Sequence, residues 1–104
     1  KEIAYKYGQH YILGHQLLKA GHGVMFGITW CLNRADQEDL DTVRKAMEDS
    51  NRLILDLGGV LWKAEQSTQQ LMMEKMDPVT LNLMKTMKRT LDPNNIMNPG
   101  NWCD

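Results

Sequence analysis

From Val24 to Leu32 apolar side chains recur at every second position. Val24, Phe26, Ile28, Trp30 and Leu32 point to one side, and Met25, Gly27, Thr29 and Cys31 to the other. A period of two is that of a β-strand. The second side is small or apolar as well. The strand is therefore expected to be covered on both faces or to lie near a ligand, with Gly27 letting another group approach the backbone and Cys31 a small buried apolar residue. After Asn33-Arg34-Ala35 the period becomes helical. Asp36 suits an N-cap, and Glu38 and Asp39 suit the positive end of a helix dipole. Leu40, Val43, Met47, Ser50, Ile54 and Leu57 then share one face, with Asp41, Lys45, Glu48 and Arg52 mostly opposite. Gly58-Gly59 supplies a left-handed stop after about 20 residues.

Val60-Leu61-Trp62 predicts a second, short strand reached through that helix. Ser67 followed by Gln70 has the form of a capping box, and Leu71, Met72 and Met76 give the next helix an apolar side. Asp77-Pro78 opens another helix: aspartate caps, and proline sits where a missing N–H costs nothing. Leu83, Met84, Met87 and Leu91 are its expected buried stripe. Asp92-Pro93-Asn94-Asn95 predicts a turn, and the segment from Ile96 to Trp102, which contains Pro99-Gly100, predicts an extended tail. At the other end, Tyr5, Tyr7, Tyr11, Ile12, Leu13, Leu17 and Leu18 are interrupted by glycine and histidine. Residues 1–20 are therefore expected to form a short helix or arm.

The length of 104 residues suits one core. With 42% hydrophobic and 24% charged residues the composition is globular, excluding a disordered chain. A formal net charge of -1 with interspersed signs leaves no basic stripe for a phosphate backbone, so no nucleic-acid partner is expected. No apolar run approaches the roughly 18 residues of a membrane span. The start, Lys1-Glu2-Ile3-Ala4, is neither a signal peptide nor an initiator methionine, which suggests a chain that begins within a longer protein. Cys31 and Cys103, with no CxxC pair, fit a reducing compartment, and a cytoplasmic location is the expectation. Eight methionines fit ordinary core filling or flexible packing against a further surface.

The string Leu91-Asp92-Pro93-Asn94-Asn95-Ile96-Met97-Asn98-Pro99-Gly100 follows an amphipathic helix bearing Lys85, Lys88 and Arg89. It resembles the C-terminal signature of the FAD-linked oxidases, the vanillyl-alcohol oxidase and p-cresol methylhydroxylase superfamily, which includes D-lactate dehydrogenases and glycolate oxidase flavin subunits. Physically the string is a helix stop, a turn, one aliphatic residue expected to be buried and a proline-fixed exit. The order of elements upstream is similar to the end of that superfamily's cap domain, so the resemblance covers roughly residues 20 to 102. It implies an α+β fold: a strand-helix-strand unit of a ferredoxin-like cap domain followed by C-terminal helices. The divisions are an arm over 1–20, the strand-helix-strand unit over 24–62, and C-terminal helices and tail over 67–102. It also implies that FAD is bound mainly by an N-terminal domain absent from this chain, which is then not catalytic alone.

Phenol-oxidising members of the superfamily carry a Tyr-Arg pair soon after the glycine-marked helix stop, where it holds an anionic substrate oxygen. The matching positions here are Trp62 and Lys63. Tryptophan keeps an aromatic wall but exchanges a hydroxyl for an indole donor, and lysine keeps the cation but loses the planar fork of arginine. A phenol fits that pair less well, whereas the carboxylate of a 2-hydroxy acid suits a lysine. Equally, Trp62 could be sheet core and Lys63 a solvated edge charge. The D-lactate and glycolate branch has a Gly-Glu-His-Gly motif in this region; here the sequence is Trp62-Lys63-Ala64-Glu65-Gln66, without histidine. Of His10, His15 and His22, the last, between Gly21 and Gly23, is the one placed to meet a substrate. The spacing of the three does not form a helical metal pair, so no metal site is expected. Asn98 lies on the tail that returns to the cofactor domain in the family and is the candidate flavin contact; packing of the tail alone would equally account for it. The resulting expectation is a substrate-side portion of an FAD-dependent oxidoreductase acting on an alcohol or 2-hydroxy acid, with an apolar surface prone to self-association. The alternative is a self-contained α+β ligand-binding or protein-interaction module without redox activity.

Overall fold

The computed structural model describes residues 1–19 and 21–101. In chain order the elements are α1 (Glu2–Tyr7), β1 (Tyr11–Leu17), β2 (Val24–Trp30), α2 (Gln37–Asp56), α3 (Gln66–Lys75) and α4 (Pro78–Leu91). Two strands and four helices make the α+β class expected from the sequence, with helices closing the chain. Two compact units are joined within α2, one covering Lys1–Ser50 and the other beginning at Asn51.

In the first unit the expected arm is a helix followed by a strand. Helix α1 stops at Gly8, whose φ of 63° is left-handed and lets its N–H reach back into the last turn. Strand β1 pairs antiparallel with β2, from Tyr11 opposite Trp30 to Leu17 opposite Val24. The register gathers Tyr11, Leu13, His15 and Leu17 with Trp30, Ile28, Phe26 and Val24 on one face. Ring contacts across the pair join Tyr11 to Trp30 at 5.8 Å and His15 to Phe26 at 6.3 Å between centroids. On the other face Gly14 lies opposite Gly27, and a Cβ at either would meet nothing within 4 Å. Neither face of β2 is covered by the described residues: Phe26 is 63% exposed on one and Met25 37% on the other. Cys31 lies just past the strand and is exposed, not buried as expected; its N–H still donates to the His10 carbonyl at 3.0 Å.

Helix α2 begins as its sequence dictates. The Asp36 carboxylate accepts from the Glu38 N–H at 3.0 Å and the Asp39 N–H at 3.4 Å. Asp39 in turn accepts from the Asn33 N–H at 2.6 Å and the Gln9 carboxamide at 2.5 Å. Those donors, the Asn33 amide first, hold its carboxyl below the ordinary value. Farther along, Asp49 accepts from Lys6 at 2.6 Å and the Tyr7 hydroxyl at 2.9 Å, tying α1 to α2. The core of the unit is Ala4, Val43 and Ala46 with Ser50, whose hydroxyl donates to the Ala46 carbonyl at 2.7 Å. Ala46 belongs to the buried face as much as Val43 does, whereas Leu57 is 78% exposed.

The end of α2 needs both glycines. Gly58 has φ 82°, and the Gly59 N–H closes on the Ile54 carbonyl at 2.8 Å. A Cβ on Gly59 would stand 2.7 Å from Ile54 Cγ2 and 3.0 Å from its carbonyl oxygen. The segment after it, Val60-Leu61-Trp62, is a loop and not the expected second strand. The partner of β2 comes instead from β1, which precedes it, and Val60 and Trp62 are 83% and 78% exposed.

In the second unit α3 starts at Gln66, with the Thr68 and Gln69 N–H groups both on the Glu65 carbonyl at 2.9 Å. Ser67 is thus already inside the helix, so the capping box expected from Ser67 and Gln70 does not form. Lys75 pairs with Asp56 at 2.8 Å, and the Asn51 carboxamide donates to Thr68 at 3.3 Å. Helix α4 opens as expected, the Asp77 carboxylate accepting from Thr80 N–H at 2.8 Å and Thr80 hydroxyl at 2.9 Å. Of its expected buried stripe, Leu83, Met87 and Leu91 are 59%, 54% and 75% exposed and Met84 is half-buried. Val79, which continues the spacing of four, is 77% exposed. No helix among the described residues is long and apolar enough to cross a membrane.

Candidate functional site

A closely knit polar cluster lies where α4 ends. Asp92, 8% exposed, accepts from the Ile96 N–H at 2.8 Å, the Met97 N–H at 2.9 Å and the Lys88 ammonium. Lys88 donates also to the Met97 carbonyl at 2.6 Å. The Asp92 N–H closes the helix on the Lys88 carbonyl at 2.8 Å, and the Asn95 N–H returns to the Asp92 carbonyl at 3.0 Å. The Lys88 ammonium, with the two amides behind it, holds the Asp92 carboxyl below its ordinary value although burial opposes this. Asn95 and Asn98 take left-handed backbone conformations, φ 50° and 48°. Asn98 accepts from the Asn101 N–H at 3.1 Å, and the Asn101 side chain accepts from the buried Gln69 at 2.7 Å. Gly100 stands at φ 88°, a left-handed backbone that favours glycine, against the Gln66 side chain.

Beside this clasp runs a cleft of about 360 Å³, walled by Met84, Met87, Leu91 and Met97 and rimmed by Lys88, Asp92, Asn98 and Asn101. Because Lys88 and Asp92 neutralise one another, the cleft offers an apolar wall with carboxamides at its edge. Such a wall accepts a flat, uncharged ring better than an anion.

The other candidates lie elsewhere. Trp62 and Lys63 are adjacent in the loop between α2 and α3, both exposed, and Lys63 makes no ion pair among the described residues. Neither is a wall of the cleft beside Asn98. His22 is exposed in the connection between β1 and β2, in the first unit. The described histidines, cysteines and acids form no group of three that could hold a metal ion. Trp102 and Cys103 fall outside the described residues. In the sequence Lys88 is one of three basic residues on α4 and Asp92 the start of a turn. Their spacing of i and i+4 across a helix end, Lys88 to Asp92, is the signal that joins them.

The chain matches the family described as FAD linked oxidases, C-terminal domain, over residues 1–102, and belongs to it. It is therefore part of an FAD-linked oxidase, and FAD is the cofactor of the parent protein. No curated protein and no solved structure matches it at a significant level.

The residues present fit only part of FAD. A pyrophosphate binds where the N–H groups at a helix N-terminus lie open behind glycines. Here α2 opens behind the Asp36 carboxylate, α3 behind Glu65, and α4 behind Asp77 with Pro78 removing one donor. These starts repel the anionic half of the dinucleotide, whereas the cleft beside Asn98 suits the apolar edge of a ring held from elsewhere.

Proposed function

We propose that this chain is the substrate-side domain of an FAD-dependent oxidoreductase that acts on an alcohol or a 2-hydroxy acid, and that it is not catalytic alone. Trp62 gives the substrate an aromatic wall, and Lys63 takes its carboxylate or anionic oxygen. The observation that carries this reading is the loop itself. It leaves α2 through Gly58, held at a left-handed φ of 82°, and Gly59, packed against Ile54, and it presents a ring and a cation side by side, the cation without an ion pair among the described residues. An unpaired ammonium beside an indole is chemistry available to an anionic, partly apolar ligand.

His22, in the hairpin connection of the first unit, is a separate candidate substrate contact, and Asn98 gives the flavin ring one carboxamide contact. When bound, FAD supplies the two-electron acceptor. An N-terminal FAD-binding domain is the main partner, no nucleic acid is involved, and the protein works in the cytoplasm.

The test is the visible absorption spectrum of the protein expressed from the complete parent reading frame. Two flavin bands that bleach when a 2-hydroxy acid or an alcohol is added support the assignment and begin to name the substrate. A flavin-loaded protein that no member of either class bleaches removes the substrate assignment. A protein that stays colourless with added FAD moves the reading to a binding module without redox activity.

A further inference from the structure

The tail after α4 is held more firmly than a helix stop requires. One cap and one turn are enough to end a helix. Here a buried carboxylate collects an ammonium and two amides, and the same ammonium takes the Met97 carbonyl. The residue before Asn98 therefore has both its N–H and its C=O fixed. Asn98 is pinned from the other side as well, through the Asn101 N–H and the Gln69 contact to Asn101. Asn98 itself stands at φ 48°, a region costly for a residue with a Cβ, although asparagine tolerates it best. Strained, over-determined backbone of this kind fits a side chain whose direction matters.

We propose that Lys88 and Asp92 are positioning residues for Asn98, holding its carboxamide at the rim of the apolar cleft in the direction of the flavin ring. This rests on the assignment of Asn98 to the flavin. Lys88 and Asp92 stand at the same rim, but both are engaged by each other and by main-chain groups. Their charges cancel, so their contribution passes through the backbone of residues 96–98. Two signs of charge at one end of a cleft, each spent on the other and on main-chain groups, set a direction without adding a field.

The experiment uses the full-length parent flavoprotein, reading the FAD dissociation constant and the visible bands together with the melting temperature. Asn98→Ala is expected to weaken FAD about two- to tenfold, the worth of one hydrogen bond, and to shift the bands. Asp92→Asn and Lys88→Met are expected to do the same, and Lys88→Arg to stay near the wild type. In the Asn98→Ala background, Asp92→Asn should change neither FAD affinity nor spectrum further, although it still lowers the melting temperature.

Folded Asp92→Asn and Lys88→Met variants with wild-type affinity and bands, beside an altered Asn98→Ala, overturn the positioning role and leave the Asn98 assignment standing. So does an Asp92→Asn effect that persists undiminished without Asn98. An unaltered Asn98→Ala removes the assignment and the inference together. Lys88→Met keeps the apolar stem of lysine and so serves if Asp92→Asn does not fold.

Discussion

Lys88 and Asp92 face each other across the last turn of α4 and between them hold both the N–H and the C=O of Met97. A string recognisable in sequence as a helix stop and a turn is thus closed by a residue from inside the helix. The same pair keeps the adjoining cleft without net charge.

That pair has a pH signature. The Asp92 carboxyl is depressed in the folded chain, chiefly by Lys88. Such a group stabilises the fold fully above its unfolded pKa, about 3.9, and loses that contribution as pH falls through the folded value. Asp39, Asp56 and Asp77 are depressed too and act in the same direction. Thermal melts of the parent protein should therefore fall in temperature as pH drops below about 5. Asp92→Asn should start lower at neutral pH and fall less steeply; a slope identical to wild type would show that Asp92 contributes nothing to it.

Gly59→Ala should destabilise the chain by about 1–3 kcal/mol, the cost of forcing a methyl against Ile54 Cγ2 and the Ile54 carbonyl. Gly58→Ala should cost about 1–2 kcal/mol for a different reason, its left-handed φ with open space around it. Denaturant midpoints measure both. Adding Ile54→Ala should relieve the first and leave the second unchanged.

Lys63→Ala in the full-length flavoprotein should raise KM for a 2-hydroxy acid at least about tenfold, as expected for losing a charge-assisted contact. FAD content should be unchanged, because Lys63 lies in a loop away from the cleft beside Asn98. Steady-state kinetics over a series of acids and their neutral alcohol analogues would decide it. A KM that stays constant across the acids would count against Lys63 as the anion site.

The exposed stripe on α4 and the uncovered hairpin predict that the isolated 104-residue chain self-associates at high concentration. Sedimentation velocity from micromolar to millimolar should show a rising mean mass, and Leu83→Lys with Leu91→Lys should reduce it. A sharp monomer throughout would mean the stripe is not sticky enough to matter.

Helix α2 was legible because its signals agree: a cap at Asp36, a helical apolar face and two glycines at the stop. So was the start of α4, where Asp77 and Pro78 each act through a local hydrogen-bonding rule. Strand β1 was not, because Gly14, His15 and Gln16 interrupt its apolar alternation, and its identity depends on pairing with β2. The run Val60-Leu61-Trp62 has strand composition, but β2 already has β1 beside it, and composition does not tell which edge a segment reaches. Burial was read least well. Leu83 and Leu91 have the periodicity of a core face, and periodicity says which residues share a side but not what stands against that side. Of the site, Trp62, Lys63 and Asn98 came from matching positions to a family pattern. The Lys88 clasp needed the fold, since only the returning tail brings Met97 to it.

Val79, Leu83, Met87 and Leu91 have a geometric consequence of their own. Steps of four overshoot one helical turn, so the four side chains form a ridge that winds around α4, inclined about 26° to its axis. The row a covering helix lays against it then sets the angle: an i±4 row crosses obliquely, near −50°, whereas an i±3 row lies nearly alongside α4, at about +20°.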